Sequence, residues 1–195
     1  MKVIGLTGGI ASGKSTASAY LRELGAAIVD ADAISRASTR RGGAAFEAVC
    51  AAFGNILGAD GEIDRRKLGG IVFADEDARR KLNSIVHPAV MAESRAQIEN
   101  ARASGVKVCI LDVPLLFETG MEKLCDETWL IYVPREEQIR RMAERDGLDA
   151  AAAAARIDSQ MPLEEKLKRA DVAIDSSGTI EQTREKLHRL WEERI

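Results

Sequence analysis

The stretch Gly8-Gly9-Ile10-Ala11-Ser12-Gly13-Lys14-Ser15 matches the pattern Gly, four residues of any type, Gly-Lys-Ser/Thr. It follows the apolar run Val3-Ile4-Gly5-Leu6-Thr7. A strand must turn sharply into a helix here while backbone N–H groups stay directed at phosphate oxygens. Lys14 is expected to reach the β- and γ-phosphates, and the Ser15 hydroxyl to bind the accompanying magnesium ion. The stretch therefore predicts that the chain binds a nucleoside triphosphate.

Composition limits the class of protein. The chain has 195 residues, of which 46% are hydrophobic and 30% charged, as is usual for one globular domain. Its apolar stretches are shorter than the roughly 20 residues that cross a bilayer, and glycines interrupt the N-terminal run, unlike a signal peptide. The net charge of −3 argues against a nucleic-acid-binding surface. We therefore expect a cytoplasmic monomer or weak homo-oligomer without a nucleic-acid or membrane partner.

Strand and helix patterns alternate, which predicts an α/β fold with a mainly parallel sheet. Five short apolar segments are predicted as strands buried on both faces: residues 2–6, 27–29, 107–111, 128–133 and 172–174. Residues 33–105 have helical periodicity and no convincing strand, and 136–170 form a second, charged helical insertion. An amphipathic helix from about residue 179 closes the chain.

Acidic side chains follow two of the predicted strands. Asp30-Ala31-Asp32 ends the second strand, and ligands gather at the carboxyl ends of strands in such sheets. Asp32 is interpreted as a general base for an attacking hydroxyl, with Asp30 serving the backbone or the magnesium shell. The alternative is that an aspartate of this Asp30-Ala31-Asp32 segment is the N-cap of a helix. Asp112, after the third strand, either holds magnesium through water or caps its loop.

Arginines recur in the second insertion. Gln138, Arg141 and Arg145 fall at helical spacing, so the two arginines project from one face. They either close over the triphosphate, where guanidinium groups suit phosphate oxygens, or form a solvated helix face. The pair His87-Pro88 by itself predicts only a helix boundary before the proline.

Together these motifs resemble the dephospho-CoA kinase family over nearly the whole chain. The matching pieces, in order, are Gly5-Leu6-Thr7-Gly8-Gly9 with the loop after it, Asp30-Ala31-Asp32, Phe53-Gly54, Asp64-Arg65 with Leu68, Val72-Phe73, His87-Pro88, Pro114 to Glu118, Gln138 with Arg141 and Arg145, Arg156 with Gln160, and Ala170-Asp171.

The resemblance implies ATP-dependent phosphorylation of the ribose 3′-hydroxyl of dephospho-CoA, the last step of coenzyme A synthesis, with Mg²⁺ accompanying ATP. It implies a three-layer P-loop NTPase-type α/β fold with about five parallel strands. The implied core covers about 1–35, 104–135 and 170–195, the helical CoA-binding lobe about 36–103, and the helical lid about 136–169.

The resemblance also implies residue roles. Asp32 matches the catalytic base, acting with Lys14 and Arg141. The implied ATP contacts are Gly8, Gly9, Ala11, Ser12, Gly13, Lys14, Ser15, Thr16, Arg141 and Arg145, and the implied contacts to the acceptor are Thr7, Asp32, Arg65, His87 and Leu115. Mg²⁺ is assigned to Ser15, with Asp112 as a second contact through water.

Two positions depart from the family pattern. Ala11 stands where glycine is common, and its additional methyl group is tolerable if its φ is negative. Ser176 stands where asparagine is frequent near the adenine, and we expect weaker reading of the base edge.

Two other functions fit parts of this pattern. One is another P-loop kinase acting on a small molecule or nucleotide. The other is a nucleotide-dependent regulatory ATPase, although the chain has neither an Asn-Lys-x-Asp nor a Ser-Gly-Gly-Gln motif. Dependence of ATP turnover on an added hydroxyl acceptor separates a kinase from a regulatory ATPase.

Overall fold

A five-stranded sheet organises the fold in the computed structural model, which describes residues 1–195. The strands are β1 (Lys2–Gly8), β2 (Ala27–Asp30), β3 (Val108–Asp112), β4 (Glu127–Tyr132) and β5 (Val172–Asp175). Their order across the sheet is β2-β3-β1-β4-β5, and β1 pairs in parallel with both β3 and β4. The five predicted strands and the α/β fold class are confirmed.

Nine α-helices and one 3₁₀ helix connect and flank the strands. The α-helices are α1 (Lys14–Glu23), α2 (Ala31–Ser38), α3 (Phe46–Phe53), α4 (Arg65–Ala74), α5 (Glu76–Ala103), α6 (Arg135–Asp146), α7 (Ala150–Asp158), α8 (Leu163–Arg169) and α9 (Ile180–Arg194). The 3₁₀ helix covers Met121–Leu124. Between β2 and β3 the chain contains four helices joined by turns and no strand, only one isolated bridge between Leu57 and Ile63, as the sequence predicts.

The chain divides into two compact units. The sheet unit comprises residues 1–29 and 98–195, and the helical unit comprises residues 30–97. In the sheet unit, α1 and α9 cover one face of the strands, where Leu21 and Leu187 are fully buried. Leu190 and Trp191 pack on the same core, so the predicted amphipathic helix at the end of the chain is confirmed.

A buried carboxylate joins both ends of the chain to β4. Glu127 is 8% exposed, accepts hydrogen bonds from Trp129 Nε1 at 3.1 Å and Arg194 Nη1 at 2.6 Å, and pairs with Lys2. Burial acts to raise the pKa of Glu127, but hydrogen bonds from Lys2 and Trp129 and the nearby cationic charges outweigh it, and the net pKa is lowered.

In the helical unit, α5 continues through Pro88, and the predicted helix boundary at His87-Pro88 is wrong. Proline removes one backbone hydrogen bond from a helix. The buried face of α5 nevertheless continues across it, because Val86, Val90 and Ser94 recur every four residues and are all buried. Packing along this face therefore offsets the lost hydrogen bond.

Candidate active site

The phosphate loop connects β1 to α1 through two left-handed residues. Gly13 caps α1 with φ of 84°, a conformation that glycine adopts without steric cost. Ala11 has φ of 60° and is the only non-glycine residue with a positive φ. The condition under which alanine would be tolerated here, a negative φ, is therefore not met. A glycine would adopt this conformation without the steric cost that alanine has.

Lys14 and Asp112 form an ion pair beside the loop. The Lys14 ammonium contacts Asp112 Oδ1, and the two side chains are only 15% and 11% exposed. Asp112 is the last residue of β3, next to β1 in the sheet, so sheet topology brings the acid to the loop lysine. Ser15 follows in the first turn of α1 and is exposed. A hydroxyl and a carboxylate oxygen are donors that suit Mg²⁺.

Helix α6, more than 120 residues away in sequence, contacts the phosphate loop. Gln138 Nε2 donates to the carbonyl of Ile10 at 2.7 Å, and a Cβ on Gly9 would lie only 2.6 Å from the same nitrogen. Arg141 donates to the carbonyls of Ala11 at 3.4 Å and Ser176 at 2.8 Å. Arg141, predicted to close over the triphosphate, thus lies beside the phosphate loop, and so does Gln138, for which the sequence predicted no role.

The two lid arginines differ in their surroundings. Arg141 Nε donates to Glu137, and hydrogen bonds from Arg140 and Arg141 lower the pKa of Glu137 to about 2. Arg145, one turn later, forms two 2.8 Å hydrogen bonds with Asp146, and its side chain is 62% exposed. In this structure Arg141 therefore lies at the loop, while Arg145 lies on the solvated face.

A buried lysine ties α8 to the segment after β3. Lys166 is 1% exposed, pairs with Glu118 Oε1 at 2.9 Å and donates to the Pro114 carbonyl at 3.1 Å. The same carbonyl accepts a 3.0 Å hydrogen bond from Thr7 Oγ1, immediately before the loop. Sequence reasoning missed Lys166, because a lysine in a charged helix is ordinarily solvated. Leu115, predicted to contact the acceptor, is 39% exposed in this segment.

In the helical unit, Asp30 and Asp32 have different surroundings. Asp30 is the N-cap of α2 and accepts a 2.9 Å hydrogen bond from the backbone N–H of Ala33. Asp32 lies in the first turn of α2 and is exposed. The helix-capping interpretation thus holds for Asp30, and Asp32 does not have that role.

The helical unit contains a cavity of 820 Å³ that brings Arg65 and His87 together. Arg36 and Arg40 also line it, so three arginines and one glutamate, Glu62, contribute charge, while Leu68, Val72, Leu82 and Val86 contribute apolar surface. Partial burial lowers the pKa of His87, which favours the neutral imidazole. Sequence analysis did not single out Arg36 and Arg40, although their spacing of four residues was a usable signal.

Comparison with known proteins decides the family. Residues 2–182 match the dephospho-CoA kinase family. The chain belongs to the dephospho-CoA kinase family. A dephospho-CoA kinase from Carboxydothermus hydrogenoformans is 54% identical over 188 residues, covering 96% of this chain and 91% of the relative.

Two solved structures are similar to this chain over nearly its whole length. A Thermus thermophilus protein is 35% identical, with a TM-score of 0.82 and coverage of 100% of this chain and 98% of that chain. The dephospho-CoA kinase from Campylobacter jejuni is 30% identical, with a TM-score of 0.67 and coverage of 98% and 96%. The chain is therefore a kinase, and its nucleotide substrate is ATP. No helix is both long and apolar enough to traverse a membrane.

Proposed function

We propose that the chain transfers the γ-phosphate of ATP to the ribose 3′-hydroxyl of dephospho-CoA, giving coenzyme A and ADP. The observation that supports this acceptor most directly is the 820 Å³ cavity lined by Arg36, Arg40 and Arg65. Dephospho-CoA carries a pyrophosphate and a long pantetheine arm. Guanidinium groups suit the pyrophosphate oxygens, and the apolar lining suits the arm.

The sheet unit would bind ATP through the phosphate loop. Backbone N–H groups of the loop would surround the phosphates. The Lys14 ammonium would leave Asp112, its partner in this structure, and bind phosphate oxygens instead. Mg²⁺, when bound with ATP, neutralises charge on those oxygens, and Ser15 and Asp112 are the residues that would hold it. Arg141, already beside the loop, would offset charge developing on the transferred group.

Asp32 would act as the general base. Its carboxylate would accept the proton of the 3′-hydroxyl as that oxygen bonds to the γ-phosphorus and the bond to the ADP oxygen breaks. Asp32 is exposed in the first turn of α2, which supports this role. Arg65 and His87 would hold the acceptor, and residues 136–169 would act as a lid that excludes water.

We also propose that the enzyme works in the reducing cytoplasm. All three cysteines are free. Burial raises the pKa of Cys109 to about 11 and, together with nearby acidic charges, that of Cys125 to about 12. These thiols therefore stay protonated and unreactive at neutral pH.

The first test is ADP release by the purified protein with Mg·ATP, with and without dephospho-CoA. AMP, adenosine and shikimate serve as control acceptors. We expect stimulation by dephospho-CoA alone, with coenzyme A as the product. Stimulation by another acceptor would contradict the proposed substrate, and acceptor-independent hydrolysis would contradict the kinase reaction itself.

Asp30 provides a matched control for the proposed base. Asp32→Asn should lower turnover by about 10²- to 10⁴-fold, with little change in ATP affinity, because the base acts only on the acceptor hydroxyl. Asp30→Asn should retain turnover, because asparagine caps helices about as well as aspartate. Similar rates for the two variants would exclude Asp32 as the base.

Arg65 and Arg66 test the acceptor cavity. Arg65→Ala should raise the KM for dephospho-CoA by roughly 10- to 100-fold while the KM for ATP stays unchanged, as for loss of a charged hydrogen bond. Arg66 is exposed and lies outside the cavity lining, so Arg66→Ala should leave both constants near wild type. An unchanged acceptor KM in Arg65→Ala would place the acceptor elsewhere.

A further inference from the structure

Three consecutive carbonyl groups of the phosphate loop accept hydrogen bonds from side chains outside the loop. Gln138 donates to the carbonyl of Ile10 at 2.7 Å, Arg141 to that of Ala11 at 3.4 Å, and Ser176 Oγ to that of Ser12 at 2.6 Å. The donors come from α6 and from the loop between β5 and α9, more than 120 residues away in sequence.

These bonds match the backbone conformation of the loop. Ala11 and Gly13 are both left-handed, with φ of 60° and 84°. Left-handed residues among right-handed ones turn successive N–H groups to one side, which forms an anion-binding nest. Alanine adopts this conformation only when its surroundings enforce it. The three outer hydrogen bonds are the contacts that hold the carbonyl groups of this segment.

Ser176 is fully engaged in this arrangement. It is 5% exposed, and its hydroxyl proton is shared between the carbonyls of Ser12 at 2.6 Å and Tyr132 at 3.1 Å. Its own N–H donates to Tyr132 at 2.9 Å, and its carbonyl accepts from Arg141 at 2.8 Å. The hydroxyl hydrogen of Ser176 is therefore committed to these carbonyl groups and is not available for donation to a nucleobase.

We propose that Ser176 is a positioning residue for the phosphate loop and not a reader of the adenine edge. It acts through the Ser12 carbonyl and is assisted by Gln138 at Ile10. The proposal rests on the assignment of this loop to the phosphates of ATP. Removing the Ser176 or the Gln138 donor makes the loop backbone less ordered. It therefore lowers the affinity for every ligand that the loop binds through phosphates, whatever base the ligand carries.

The test compares ATP, GTP and inorganic tripolyphosphate, each with Mg²⁺, by calorimetry on the full chain at 15 °C. Ser176→Ala should lower the affinity for all three ligands by a similar factor, about threefold to tenfold. The ratio of ATP affinity to GTP affinity should stay unchanged. Gln138→Met should act in the same direction. Ser177→Ala is the matched control, because the Ser177 hydroxyl bonds to Asp175 and not to the loop. It should leave tripolyphosphate binding unchanged.

Several outcomes would overturn the proposal. Loss of ATP affinity with unchanged tripolyphosphate affinity would assign Ser176 to base recognition. A lower melting temperature with unchanged binding of all three ligands would make its role purely structural. Failure of the wild-type protein to bind either ATP or tripolyphosphate would remove the phosphate assignment on which the proposal depends. Binding of ATP without phosphorylation of dephospho-CoA would refute only the proposed acceptor, and the three-ligand comparison would still decide the role of Ser176.

Discussion

Replacing Ala11 with glycine should stabilise the protein, although the same change in a helix is destabilising. Ala11 has φ of 60°, which costs an L-residue about 1–2 kcal/mol. Glycine removes that strain but has more conformational freedom in the unfolded chain, which offsets about 0.4–1 kcal/mol. The expected net gain in the free energy of unfolding is about 0.5–1 kcal/mol. For a chain of this length it corresponds to a rise in Tm of about 1–4 °C.

Ala155 is a matched control in the same unit. It is exposed in α7, where glycine should lower the free energy of unfolding by about 1 kcal/mol. Urea unfolding followed by tryptophan fluorescence suits both variants, because the tryptophans, Trp129 and Trp191, lie in the core of the sheet unit. The two variants should shift the unfolding midpoint in opposite directions at equal m-values.

The sign of the change in the free energy of unfolding caused by Ala11→Gly shows whether Ala11 is strained in the folded protein. If both variants destabilise the protein by similar amounts, Ala11 is not held in a left-handed conformation in solution. That result would contradict a phosphate loop in which outer hydrogen bonds hold Ala11 in a left-handed conformation. A gain for Ala11→Gly with a loss for Ala155→Gly would agree with that conformation.

Three further predictions follow from the buried charges. Glu118→Leu should lower the free energy of unfolding by about 3 kcal/mol, because it leaves the buried Lys166 ammonium without its carboxylate partner. Lys166→Met should lower it by less, because the Glu118 carboxylate is 22% exposed and reaches water. Urea titration of both variants measures the difference. The lowered pKa of Glu127 means that its contribution is present above its ordinary value of about 4.3 and is lost as the pH falls through the folded pKa. The stability difference between wild type and Glu127→Gln, measured by urea titration from pH 7 to pH 3, should therefore be largest near neutrality and shrink below about pH 4. Lys14→Ala should weaken ATP binding and lower turnover at saturating ATP by about 10²-fold or more, measured by calorimetry and ADP release, and normal values would contradict the loop assignment.

The strands and the phosphate loop were predictable because their signals are local. A strand buried on both faces must be apolar along its length, so β1 and β4 stand out from the charged helices around them. The loop pattern is equally local, since Gly13 must be left-handed where α1 begins. The predicted position of Arg141 near the phosphates came from the family resemblance, because helical spacing alone left a solvated face equally open, and neither signal predicted the contact of Gln138 with the loop.

The wrong helix boundary at Pro88 and the positive φ of Ala11 have a common cause, which is that long-range contacts override a local preference. Pro88 favours a helix end, but the buried face of α5 continues on both sides of it. Alanine at position 11 favours a negative φ, but the neighbouring carbonyl groups are held by Gln138, Arg141 and Ser176, each distant in sequence. No window of sequence around Ala11 contains those donors. The conformation of a phosphate loop therefore depends on distant hydrogen-bond donors as well as on its own glycines, and a loop that lacks one glycine should be the most sensitive to their loss.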